Sequence, residues 1–278
     1  MEALYHQTTF ECAKLITQRY STSFTLGIKT LAKKYHYPIY AIYGFVRYAD
    51  EIVDTFHGFD KARLLEEFTK DTYKSIEEGI SFNPVLHAFQ RVVNEYKIER
   101  ELIDAFLRSM EMDLTETVYN QHGYEEYIYG SAEVVGLMCL RVFCEGDEAE
   151  YQRLREPARR LGSAFQKVNF LRDVKSDYQD RGRVYFPGVD FSQFTSSDKR
   201  AIEQDIQEDF DAALEGIKNL PLGARQGVYL AYIYYLKLFQ KIKGLPVKMI
   251  QDHRIRIPDG RKMWLLLKSV ARHRLNAI

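Results

Sequence analysis

A chain of 278 residues that is 46% hydrophobic and 28% charged can bury a large core, and this composition excludes a disordered polypeptide. Lys plus Arg equals Asp plus Glu at 39 each, so no overall field exists to gather nucleic acid, and any anion site must be local. Cys12, Cys139 and Cys144 are too few for a disulfide framework and lack zinc-knuckle spacing, which fits a reducing cytoplasm.

The first residues show no basic segment followed by an apolar run, and the longest apolar stretch, 134–143, is interrupted by Arg141. An export signal and a spanning segment are therefore not expected. Apolar residues recurring every three or four positions predict helices over 4–20, 36–56, 60–78, 84–96, 99–119, 124–143, 147–178, 198–219, 223–243 and 260–275. Strand alternation is scarce, and breaks at Asn83-Pro84, His122-Gly123, Glu145-Gly146-Asp147, Leu220-Pro221 and Pro258-Asp259-Gly260 are too short for an interdomain linker. One all-α domain over 1–278 is the expectation. The 20 Tyr and 17 Phe either fill its core or line a large apolar cavity.

Within the second predicted helix, Asp50 and Asp54 are four residues apart, which puts both carboxylates on one face about 6 Å apart along the axis. Arg47 and Tyr43 extend the same polar seam through an otherwise apolar segment. In the seventh predicted helix Asn169, Asp173 and Asp177 repeat the four-residue step. One such stripe is ordinarily a wet surface face. Two of them, each flanked by Phe, Leu, Ile, Val and Tyr, call for a neutralising cation, because clustered like charges beside apolar surface are costly. Hard oxygen donors without a Cys or His set point to Mg²⁺, with Mn²⁺ as substitute, rather than zinc. Mg²⁺ held by one or two carboxylates keeps sites for substrate phosphates, so a diphosphate is the expected ligand. The stretch 178–197 lacks helical period and reads as a lid. The aromatic and basic run 228–243 reads as a core helix, with a membrane-surface helix as the alternative.

The segments DEIVD at 50–54, NFLRDVKSD at 169–177 and RGRVYFP at 181–187 resemble the signatures of the squalene and phytoene synthase family. STSF at 21–24, YAIYGFVRYADE at 40–51 and YIYGSAEVVG at 127–136 extend the likeness over nearly the whole chain. The resemblance implies an isoprenoid (terpenoid) synthase helical bundle around a deep apolar cavity. It implies a head-to-head (1′-1) condensation of two prenyl diphosphates through a cyclopropylcarbinyl diphosphate. It places Asp50 and Asp54 in the first metal-binding pair and Asn169, Asp173 and Asp177 in the second. Arg47, Arg172 and Arg183 match positions near the phosphates. Ser21, Ser23 and Phe24 match an N-terminal substrate contact, and Tyr43, Tyr129, Gln166 and Tyr185 match positions lining the site. Tyr129 is assigned a catalytic place, and the small residues Gly130, Ser131, Ala132 and Gly136 are expected to leave room for a prenyl tail.

Among family reactions, joining two geranylgeranyl diphosphates to phytoene, without nicotinamide, fits the pattern best. Dehydrosqualene and squalene synthesis from farnesyl diphosphate, the latter with NADPH, are the alternatives. A non-catalytic binding or assembly homologue would be expected to lose the acidic ligands, which this chain keeps. A cytoplasmic protein in peripheral contact with a membrane suits an apolar substrate and product.

Overall fold

The computed structural model describes residues 1–180, 182–189, 193–253 and 255. Among the described residues twelve α-helices follow one another: α1 Glu2–Tyr20, α2 Thr22–Lys29, α3 Lys33–Asp54, α4 Lys61–Glu78, α5 Pro84–Tyr96, α6 Arg100–Thr115, α7 Gln121–Ile128, α8 Val134–Cys144, α9 Glu148–Lys175, α10 Ser196–Asn219, α11 Leu222–Lys243 and α12 Val247–Asp252. Two π-turns, Tyr129–Glu133 and Ser176–Asp180, continue α7 into α8 and prolong α9. No strand occurs among the described residues; a single bridge pairs Val118 with Val184. The short helices α2 and α12 were not expected from periodicity, and the helix expected over 260–275 lies outside the described residues.

Helix starts follow local chemistry. Asp60, Asn83, Asn120 and Asp147 each cap the helix that follows by accepting an orphan backbone N–H, and Thr195 with Asp198 forms a capping box on α10. The α8–α9 corner needs left-handed backbone at Glu145 and Gly146, with φ of 51° and 88°. Pro38 sits in the second turn of α3, which begins three residues earlier than expected.

The core is apolar and aromatic. Phe45 of α3 stacks on Phe89 of α5 with centroids 3.9 Å apart and meets Phe106 of α6 at 5.3 Å. Packing between α9 and α10 is close: the Pro157 ring fills the space that any side chain at Gly216 would need. Beside it, fully buried Asp209 accepts from Ser163 Oγ (2.7 Å) and Lys167 Nζ (2.8 Å) and pairs with Arg160 Nη1 (3.0 Å), so its charge is compensated.

The helical run Gln121–Cys144 is continuous through its π-turn, and its 24 residues are long and apolar enough to cross a membrane. The expectation of no spanning segment was read from 134–143 alone, and the longer run meets the test by length and composition only. Just over half of its apolar window, 56%, is buried within the bundle, as in a core helix.

Helix α1 is clamped to α5 by two imidazoles. Buried His87 accepts the Ser81 amide at Nδ1 (3.2 Å), so its proton sits on Nε2 and faces His6 Nδ1 at 2.8 Å. Burial, then His6 and Arg91, lower the His87 pKa below its ordinary value. At His87 the unfolded chain therefore binds more protons than the folded one below about pH 6.5, and this residue's contribution to stability is lost as pH falls through that window. Between pH 7 and pH 5 the melting temperature of the wild type is expected to fall relative to that of His87→Gln; identical pH slopes would contradict the assignment.

Candidate active site

One cavity of about 650 Å³ runs through the bundle between α2, α3, α8, α9, α10 and α11. Leu154 and Asp173, nineteen residues apart on α9, both line it, so it extends roughly 28 Å along that helix. Its walls include apolar Phe143, Leu154, Ile217 and Leu220 as well as the acidic residues of both stripes.

From α3, the cavity receives Tyr43, Arg47, Asp50 and Asp54, which share one helix face. Arg47 pairs with both Asp50 and Glu51, and its guanidinium lies 4.5 Å from the Tyr20 ring centroid. From α9 and its π-turn come Gln166, Asn169, Arg172, Asp173 and Asp177. Arg172 Nε donates to Asp173 Oδ1 at 3.0 Å, and Gln166 Nε2 donates to Ser131 Oγ at 3.2 Å. The second π-turn keeps Asp177 on the cavity side and 8% exposed, beyond the end of regular α9. Ser21, Ser23 and Phe24 line the same space; Ser21 caps α2, and the Phe24 ring lies 5.4 Å from Tyr43. Arg183 and Tyr185 enter from the segment 182–189, part of the expected lid 178–197, of which residues 181 and 190–192 lie outside the described residues.

Tyr129 is the exception. It does not line the cavity, and its ring lies 5.4 Å from the Arg159 guanidinium. Residues two apart on a helix point in nearly opposite directions, so only one tyrosine of YIYG can face inward. That residue is Tyr127, which is buried and whose hydroxyl donates to Asp113 Oδ2 at 2.9 Å. The expectation for Gly130 is also corrected. A Cβ there would lie 2.3 Å from the Ala105 carbonyl oxygen, so Gly130 lets the π-turn approach α6 rather than making room for a ligand. Ser131, Ala132 and Gly136 do line the cavity.

Asp113 is a second residue not anticipated. It follows Phe106 and Met110 on the buried face of α6, and an acid on that face was a readable signal. Burial pushes its carboxyl up to about 7, Arg183 and Tyr127 pull against this, and Asp54 and Asp50 push it further.

The donor set fits a hard divalent ion. Asn169 Oδ1 is buried and accepts no hydrogen bond, and acidic oxygens reach the same space from α3 and α9. Among the described residues no three Asp, Glu, His or Cys side chains converge to hold an ion by themselves. An ion completed by water and substrate oxygens suits such a set.

Residues 17–261 match the family model for squalene/phytoene synthase. The chain belongs to the squalene/phytoene synthase family. Members of this family are prenyltransferases, and this one is an enzyme of that type. Over 295 aligned residues it is 26% identical to a phytoene synthase of Arthrospira platensis, covering 96% of this chain and 94% of the relative. It is 26% identical to 4,4'-diapophytoene synthase of Staphylococcus haemolyticus, over 73% of this chain and 70% of the relative. It also resembles chloroplastic phytoene synthase 1 of Solanum lycopersicum at 26%, over 82% of this chain and 60% of that one. The fold matches a dehydrosqualene synthase crystallised with a ligand, with a TM-score of 0.80 at 23% identity over 97% and 98% of the two chains. A squalene synthase from Alicyclobacillus acidocaldarius matches with a TM-score of 0.74 at 19% identity, over 86% and 95%. The all-α isoprenoid-synthase bundle is thereby established.

Proposed function

We propose that this family member is a Mg²⁺-dependent phytoene synthase that joins two geranylgeranyl diphosphates head to head, through prephytoene diphosphate, in carotenoid biosynthesis. The observation that carries this reading is the meeting of two acidic, arginine-bearing helix faces in one deep, largely apolar cavity. The likeness to phytoene synthases over nearly the full chain supports the C20 choice.

Each ionisation breaks an allylic C–O bond and leaves negative charge on the departing diphosphate. Asp50 and Asp54 on one side, and Asn169, Asp173 and Asp177 on the other, would hold Mg²⁺, which when bound neutralises that charge. Arg47, Arg172 and Arg183 present guanidinium groups suited to paired hydrogen bonds with phosphate oxygens. Phe165 and Tyr235, stacked at 4.0 Å, join Phe24, Tyr43 and Tyr127 as aromatic faces that can stabilise the allylic cation and keep water away. Binding at a membrane surface from the cytoplasm would bring the apolar substrate to this cavity.

Purified protein incubated separately with C15 and C20 diphosphates, each with Mg²⁺ and with or without NADPH, tests the reading. Phytoene from the C20 substrate, indifferent to NADPH, is expected. Dehydrosqualene from the C15 substrate alone would replace the substrate assignment, and squalene requiring NADPH would replace the reaction.

A further inference from the structure

The contacts of Arg183 converge on a residue outside both acidic stripes. Its Nη1 lies 3.1 Å from Asp113 Oδ1 and 3.8 Å from Asp54 Oδ1, and donates to the Tyr185 hydroxyl at 3.3 Å. Its Nη2 donates to the Asp113 carbonyl oxygen at 2.6 Å. Asp113 is 8% exposed, and its other carboxylate oxygen holds the Tyr127 hydroxyl. One carboxylate therefore joins α6, Tyr127 of α7, the 182–189 segment and, through Arg183, the end of α3.

The backbone repeats this stitching. Arg183 N–H donates to the Asp177 carbonyl (2.7 Å), Val184 N–H to that of Thr117 (2.9 Å), and Tyr119 N–H to that of Val184 (3.3 Å). Tyr185 stacks on Phe170 at 4.0 Å and lies 5.4 Å from Tyr119. Three rungs and a ring stack leave the guanidinium as the main charged anchor of the segment.

We propose that Asp113 is a positioning residue: through Arg183 and Tyr127 it fixes segment 182–189 against α6 and sets where Arg183 presents its charge to the diphosphate. The second half of this statement rests on the proposed diphosphate chemistry, whereas the first does not. A buried carboxylate is costly without a partner, and removing either member of such a pair leaves the other uncompensated. Arg183 pairs with both carboxylates and sits nearer to Asp113 than to Asp54, so Asp113 takes the larger share of its charge.

Hydrogen exchange on full-length Asp113→Asn tests the tether without reference to turnover. The amides of Tyr119 and Val184 are expected to exchange at least about tenfold faster, with α5 amides unchanged. Unchanged exchange at Tyr119 and Val184 would overturn the proposal. Should Asp113→Asn not fold, Arg183→Lys keeps the charge without the paired geometry and is expected to give the same loosening.

A kinetic cycle with geranylgeranyl diphosphate reads the second half. Asp113→Asn and Arg183→Ala are each expected to lower kcat, with KM changed less than about threefold, and the double variant to be no slower than Arg183→Ala. Losses that multiply would show that Asp113 does not act through Arg183. Faster exchange in a protein whose wild type turns over no prenyl diphosphate would support the tether and place the failure in the proposed function.

Discussion

Asp50→Ala and Asp173→Ala are each expected to lower kcat by about a thousandfold while both proteins remain folded. The size follows from what the carboxylates would hold. Loss of one group that stabilises charge on a leaving oxygen removes a transition-state interaction in a water-poor site, where it is worth most. The fold should tolerate the change. The Asp50 side chain is 35% exposed and its partner Arg47 retains Glu51; Asp173 pairs with the adjacent Arg172 on one helix. The partly exposed Arg47–Asp50 pair contributes little to stability, whereas Asp173→Ala leaves the mostly buried Arg172 without that partner and is expected to lower the melting temperature more than Asp50→Ala does. Single-turnover kinetics and thermal melts of both variants check the expectation, and near-wild-type turnover in either would remove that residue from the metal-binding set.

Gly130→Ala is expected to be the opposite case, a severe loss of stability of about 3 kcal/mol or more. The added methyl would meet the Ala105 carbonyl oxygen at 2.3 Å and Ser109 Cβ at 2.7 Å. Backbone on one side and a buried helix on the other cannot yield cheaply, so the π-turn must shift away from α6. Gly136→Ala meets the Ala158 oxygen only at 3.1 Å, and its effect should be smaller. Denaturant melts of the two variants decide between them; equal stability would show that the π-turn is not held by that approach.

The four-residue steps of both acidic stripes were legible because α3 and α9 keep regular helical phase where Asp50, Asp54, Asn169 and Asp173 occur. Asp177 falls in a π-turn, but the turn changes phase too little to take it away from the cavity. Tyr129 was misjudged for a related reason. The motif YIYG offers two tyrosines, and only the packing of the first π-turn against α6 and α9 selects Tyr127. Helix α2 was hidden by its shortness and by Thr22, Ser23 and Gly27, which are poor helix formers. It is held by Ser21 as cap and by the approach of Gly27 to Gly227 on α11. The run 228–243 was read correctly as a core helix: Tyr229, Tyr232, Leu238 and Phe239 are buried, and Tyr235 lines the cavity. Asp113 could have been found by asking why an acid continues an apolar face, although its partner Arg183, seventy residues away, appears only in three dimensions.

The central claim is that carboxylates from α3 and α9 together hold divalent metal on a prenyl diphosphate. The most direct measurement is the anomalous signal of Mn²⁺ in crystals grown with a non-hydrolysable geranylgeranyl thiodiphosphate. The expected result is metal peaks bridging the analogue's phosphates to Asp50 and Asp54 on one side and to Asn169, Asp173 and Asp177 on the other. Analogue bound in the cavity with Mn²⁺ absent from both acidic faces would contradict the account.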